Sequence, residues 1–157
     1  MISLVVLASY AQTDFDKKLK SLYKNTVPLI RSEELSAEIA EHKKILLLDT
    51  RSHQEFEVSH LPNAVFLDYN TFERKTVEGI TRNNKIIVYC SVGYRSERIG
   101  EKLMEMGFTD VKNLYGGIFD WVNQKNPVVN QAGIKTDSVH TYNKDWSRWL
   151  IRGTKVY

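Results

Sequence analysis

The chain has 157 residues, enough for one ordinary domain that buries a core without staples and too few for two domains with a cleft between them. Lys and Arg number 22 against 19 Asp and Glu, and the basic residues of this +3 balance are scattered, which excludes the phosphate-neutralising stripe of a nucleic-acid binder. With 42% apolar and 26% charged residues the composition is globular, and a single cysteine, Cys90, excludes an intrachain disulfide and a Cys-rich zinc site.

No apolar run approaches the roughly 20 residues of a membrane helix. Ile2 to Ala8 is a short apolar block, followed by small residues at Ser9 and Ala11. That pattern suits signal-peptidase cleavage after Ala11, although no Lys or Arg precedes the block. Residues 1–12 are therefore read as a signal-peptide remnant, with export favoured over a cytoplasmic location. A first strand or a frayed apolar tail stays open beside that reading. From Asp14 to Tyr23, Phe15, Leu19, Leu22 and Tyr23 recur at helical spacing, opposite Lys17, Lys18 and Lys20, so residues 13–26 form a helical extension.

Val27 to Ile30 reads as extended. Ser32 is placed to cap a helix from Glu33 to about Glu41, with acidic residues in its first turn. Ile45 to Leu48 is an unbroken apolar run, the mark of a strand covered on both faces. Ser52 to Glu55 has the form of a capping box that opens a short helix. Val65 to Leu67 suggests another strand, whereas residues 70–84 are polar and give no periodic signal. Ile86 to Tyr89 is a second fully apolar strand ending at Cys90. Arg95 to Met106 is helical and stopped by Gly107; Val111 to Leu114 is a strand; Gly116-Gly117 turns into a helix through Phe119, Trp121 and Val122. Alternating strands and helices predict an α/β fold, a central mostly parallel sheet with helices on both faces. The domain is expected over residues 27–126. Residues 127–157, polar at first and then aromatic at Tyr142, Trp146 and Trp149, read as an extension packed on it.

Ligands of open parallel sheets bind outside the carboxyl ends of strands, and Cys90 stands at such an end. The loop Cys90-Ser91-Val92-Gly93-Tyr94-Arg95-Ser96 joins a strand to a helix, with Gly93 free to adopt positive φ. A loop of this kind turns backbone N–H groups toward one point, backed by a helix N-terminus and the Arg95 charge, and so favours a thiolate. The competing reading of a lone cysteine at a strand end is a buried, inert core residue. The Gly-x-Arg-Ser context weighs against that.

Residues 45–64 (ILLLDTRSHQEFEVSHLPNA), 90–96 (CSVGYRS) and 114–121 (LYGGIFDW) together resemble a single-domain rhodanese, over roughly residues 27–124. The resemblance implies a rhodanese-like fold and a persulfide-forming cysteine at Cys90, in a loop whose arginine is Arg95. Asp49 and Arg51 match the family's Asp-x-Arg at a strand end. Glu55, His60, Pro62 and Ala64 match its next motif, with Ser59 and Asn63 standing where glycines are usual. Small polar residues suit such turns equally well.

Asp49 and Arg51 read as a supporting ion pair rather than as catalysts, and His60 as a structural turn residue rather than a base. His42, His53 and His140 lack ligand spacing, so no metal is expected, and no cofactor is required. Gly116-Gly117 reads as a turn beside the active loop, and Trp121, Trp146 and Trp149 as packing aromatics. Tyr94 either lines the substrate mouth or faces solvent. The expected activity is a thiosulfate sulfurtransferase: Cys90 takes the outer sulfur of a small anionic donor as a persulfide held by the N–H groups of Ser91 to Ser96, and passes it to cyanide, a thiol or a protein acceptor. Arg95 is expected to bind the anionic donor and to favour the Cys90 thiolate. The alternatives are a persulfide carrier or binding module and a rhodanese-like phosphatase, a class in which the resemblance sets five residues between Cys and Arg. Here there are four.

Overall fold

The computed structural model describes residues 4–157, with side chains from residue 13 onward. Five strands form a parallel sheet in the order β1-β5-β4-β2-β3: β1 (Leu29–Ile30), β2 (Leu46–Asp49), β3 (Val65–Phe66), β4 (Lys85–Tyr89) and β5 (Asp110–Leu114). Apolar residues fill both faces because alternate side chains point to opposite sides. Ile87 and Tyr89 of β4 join one buried cluster with Leu47, while Ile86 and Val88 join the other with Leu48. These unbroken runs were legible as doubly covered strands for that reason.

Helices cover both faces. On one side lie α1 (Leu4–Leu22), α2 (Ser32–Ala40) and α5 (Gly117–Asn123), whose Phe15, Leu19, Leu35, Ile118 and Phe119 are buried. On the other, α4 (Tyr94–Glu105) buries Ile99 and Leu103 against Val27 and Val111. The short α3 (His53–Val58) follows β2 and opens with the expected capping box.

Four expectations change. Ser32 does not cap α2: the N-cap is Arg31, and the Ser32 hydroxyl donates instead to Asp120 Oδ2 at 2.6 Å, tying α2 to α5. A carboxylate 88 residues away offers a buried hydroxyl a stronger acceptor than a local cap does. Residues 70–84 hold a 3-10 turn, Arg74–Val77, that buries Val77. The connector after Pro127 contains strands of its own: β6 (Val128–Val129) pairs antiparallel with β7 (Lys135–Thr136), and β8 (Ser138–His140) runs parallel to β9 (Thr154–Val156). Lastly, no strand forms over the described part of Ile2 to Ala8. α1 runs from Leu4 without a break across Ala11 and Gln12, while residues 1–3 of the proposed signal segment lie outside the described residues.

The tail contributes to one of the two buried clusters. Val139 and Leu150 are buried in the same cluster as Leu47 and Ile87, and Phe15 stacks on Trp149 with centroids 5.6 Å apart.

Candidate active site

β4 ends at Tyr89, so Cys90 leaves the sheet at its carboxyl edge, where it is buried. Gly93 turns the chain with φ +99°, and its N–H donates to Cys90 Sγ at 3.1 Å. Gly93 is the N-cap of α4, so the first N–H groups of that helix, which have no intrahelical acceptors, lie in Tyr94 to Ser96. The loop carbonyls are held from the other side. The N-terminal amides of α5 donate to them, Ile118 to Cys90 O at 2.9 Å and Phe119 to Ser91 O at 3.2 Å. Gly117 must be a glycine here, since at φ +56° a Cβ would land on Cys90 O.

The loop side chains divide between cavity and scaffold. Ser91 is buried, its hydroxyl donating to Glu55 Oε1 at 3.0 Å and accepting from Arg95 at 3.1 Å. Arg95 makes two bonds to Glu55, at 2.9 and 2.7 Å. Ser96 turns away from the sulfur and donates to Asn113 Oδ1 at 2.7 Å; the Asn113 amide donates to Gly93 O at 2.9 Å. Val92 is buried, with its carbonyl accepting from Tyr23 Oη at 2.6 Å. Tyr94 does both things left open for it: it lines the cavity above Cys90 and is 45% exposed.

Glu55 organises this side of the site. One carboxylate oxygen accepts from the Ser52 backbone at 2.9 Å, closing the capping box, while the same carboxylate holds Arg95 and Ser91. Burial would raise its pKa, but the hydrogen bonds and charge of Arg95, followed by Arg51, bring it down from 4.5 to about 2. Burial likewise pulls Arg95 down, and Glu55 and then the Cys90 charge overcome it, so Arg95 titrates above its ordinary range. Asp49 and Arg51 form a fully buried pair at 2.7 Å, with Arg51 also donating to Ser59 O at 2.6 Å. That pair braces the ends of α3 and so fixes Glu55. His60 stacks on Phe56 with centroids 3.8 Å apart, and its Nδ1 lies 2.9 Å from Phe56 O.

Sequence reasoning missed two supports of the loop, and it read Trp146, which walls the cavity, only as a packing aromatic. Glu55 was fully accounted for by the capping box, although its place in the resemblance motif was a usable signal. Tyr23, at the end of α1, was legible only as part of the apolar helical stripe, and nothing local marked its hydroxyl. Its hydroxyl also accepts from Gly116 N at 2.9 Å, and burial, then Cys90 and neighbouring charges, push the phenol far above its ordinary range, so it remains a protonated donor. Above Cys90 and Arg95, the side chains of Leu22, Tyr69, Tyr94, Tyr142 and Trp146 wall a cavity of about 450 Å³. Among the described residues, no three His, Cys, Asp or Glu side chains gather where a metal ion could sit. No helix among them is long and apolar enough to cross a membrane.

The chain is 33% identical over 104 residues to a sulfurtransferase of Allochromatium vinosum, covering 66% of this chain and 96% of that one. It is 27% identical over 100 residues to a putative sulfur carrier protein, YrkF, of Bacillus subtilis, covering 64% of this chain but only 54% of that protein. Among solved structures, the BH2092 protein of Bacillus halodurans superposes with a TM-score of 0.61 at 24% identity, covering 78% of this chain and 85% of that one. Residues 32–124 match the rhodanese-like domain, and the chain belongs to that family.

Proposed function

We propose that the protein is a sulfurtransferase that carries sulfane sulfur as a persulfide on Cys90, with thiosulfate as one donor. The Cys90 thiolate attacks the outer sulfur of the donor, a new S–S bond forms, and the S–S bond of thiosulfate breaks with its electron pair leaving on sulfite. The terminal sulfur then passes to a nucleophilic acceptor, cyanide in an assay or a thiol, and regenerates Cys90. Ser91 to Ser96 supply the cradle: the amides face a sulfur-borne negative charge, as preorganised donors do in other anion-stabilising sites. Arg95, paired with Glu55, keeps the loop in that shape beside the sulfur, and Asp49 and Arg51 support it.

The observation that carries this reading is the Gly93 N–H bond to Cys90 Sγ at the head of α4, with Cys90 lining a cavity. Similarity to the Allochromatium vinosum sulfurtransferase supports it. The test is mass spectrometry of purified protein after thiosulfate treatment. Gain of one sulfur on the Cys90 peptide, discharged by cyanide, is expected; an unmodified Cys90 would overturn the reading. Similarity to the putative Bacillus subtilis sulfur carrier favours a second reading, in which the persulfide is handed to a protein partner. Stable loading with slow discharge to every small acceptor would favour the carrier.

A further inference from the structure

The cavity above Cys90 has two origins. The floor and one side, from Tyr69 and the polar Asn70 to the loop Cys90 to Arg95, lie within residues 32–124, whereas Leu22, Tyr142 and Trp146 come from the two extensions. The extensions thus supply the remaining wall, and every residue they supply is apolar-bodied. A volume of about 450 Å³ suits a small organic ligand, and a bare inorganic oxyanion would leave most of that wall untouched.

Charge points the same way. Arg95 spends two bonds on Glu55, and the Tyr142 ring lies 5.6 Å from its guanidinium carbon. That ion pair is neutral overall, which leaves the loop amides as the main anion donors beside the sulfur. Such a site suits one negative charge on an apolar body better than a compact dianion. Tyr142 is also held in place at a backbone cost. Its φ is +66°, a region bulky residues avoid, and its N–H donates to His140 Nδ1 at 3.0 Å.

We infer that this cavity selects sulfur donors whose transferable sulfur sits on an apolar organic body, with Tyr142 and Trp146 as specificity-determining residues. The chemistry rests on the sulfur-transfer reading above. With an organic thiosulfonate, the Cys90 thiolate attacks the outer sulfur, the S–S bond to the sulfonyl sulfur breaks, and the electron pair leaves on the sulfinate. Cys90–S⁻ and R–SO2–S⁻ give Cys90–S–S⁻ and R–SO2⁻, with no proton, oxidant or reductant added.

Benzenethiosulfonate and methanethiosulfonate share this sulfur chemistry and differ in the body. After each rate is divided by that of free cysteine, loading of Cys90 is expected to favour the phenyl donor by about tenfold in kcat/KM, what roughly 1.4 kcal/mol of apolar burial gives. Tyr142→Asn, which tolerates the positive φ, and Trp146→Ala should each bring the ratio toward one. Binding to Cys90→Ser protein, measured by calorimetry, reads the cavity without chemistry and should show the same preference. Equal binding of the two donors, or a ratio unchanged in both variants, would overturn the inference. Failure of all donors to load Cys90 while the binding preference holds would overturn the transfer reading and uphold the cavity's selectivity.

Discussion

The hydroxyl of Tyr23 donates to the carbonyl of Val92 at 2.6 Å, across 69 positions of sequence, and so fixes the middle of the Cys90 loop to the end of α1. The same oxygen accepts from Gly116 N, which couples the loop to the turn before α5. Tyr23 lies outside residues 32–124, so a residue of the N-terminal extension is part of the loop's support. Tyr23→Phe keeps the ring in place and removes the bridge, leaving a buried N–H and carbonyl short of partners. A loss of about 1 to 3 kcal/mol in urea unfolding is expected. Cys90 loading should slow with it through kcat rather than KM, because loop geometry changes and the donor cavity does not. Wild-type kcat in a destabilised Tyr23→Phe protein would separate stability from loop placement.

Cys90→Ser tests the nucleophile. The hydroxyl is close in size to the thiol, and Gly93 N–H can donate to it as it does to the sulfur. The melting temperature should stay near wild type while thiocyanate formation from thiosulfate and cyanide disappears. The chain has no second cysteine to substitute.

Glu55 gives the pH dependence of stability. Its folded pKa of about 2 lies below the ordinary 4.5, so on acidification the unfolded chain takes up the proton first. Its contribution is complete above about pH 5 and is lost as pH falls from there toward 2, on the order of 3 kcal/mol in all. Urea unfolding at pH 7, 5, 4 and 3 should follow that decline. Glu55→Gln should be less stable at pH 7, because Arg95 loses its partner, and its profile should be flatter across the same window. A parallel slope in wild type and variant would remove Glu55 from this role.

Gly93 combines two constraints that a side chain cannot meet. Its φ is +99°, and a Cβ there would land on the Tyr23 hydroxyl. Gly93→Ala therefore strains the loop and breaks the Tyr23 bridge together. A cost of roughly 1 to 3 kcal/mol is expected, with Cys90 loading slowed at least about tenfold by the misplaced cradle. Gly79→Ala, where a Cβ meets nothing within 4 Å, is the control.

What the sequence made legible follows from what each residue answers to. The runs at Leu46 to Asp49 and Ile86 to Tyr89 are covered on both faces, so every position is apolar or buried-paired and local reading suffices. Cys90, Gly93 and Arg95 are near neighbours on a strand–loop–helix path, and spacing alone brings them together. Ser32 went wrong because a favourable local role, the cap, lost to a carboxylate on α5. Glu55 had a local role that was real, and this hid its longer-range one. Tyr23, Tyr142 and Trp146 reach the site only through packing of the extensions, which no periodicity in their own segments announces.

Loop length predicts sulfur over phosphorus as the atom Cys90 attacks. Four residues separate Cys90 from Arg95, and the loop is closed further by Asn113 on Gly93 O, by Tyr23 on Val92 O and by the amides of α5 on Cys90 O and Ser91 O. A thiolate attacking a phosphate ester needs room and donors for three non-bridging oxygens. Arg95, which would supply two of those donors, is already bonded to Glu55. A single terminal sulfur asks only for the space beside Gly93 N–H. The protein is therefore expected to form a persulfide from thiosulfate and to hydrolyse little or no p-nitrophenyl phosphate. Inserting one glycine between Val92 and Gly93 gives the five-residue spacer attached by resemblance to rhodanese-like phosphatases. That variant should lose Cys90 loading and gain affinity for phosphate esters, read as protection of Cys90 from iodoacetamide by phenyl phosphate. Efficient ester hydrolysis by the wild-type protein, with thiosulfate ignored, would reverse the assignment and make Cys90 a nucleophile toward phosphorus.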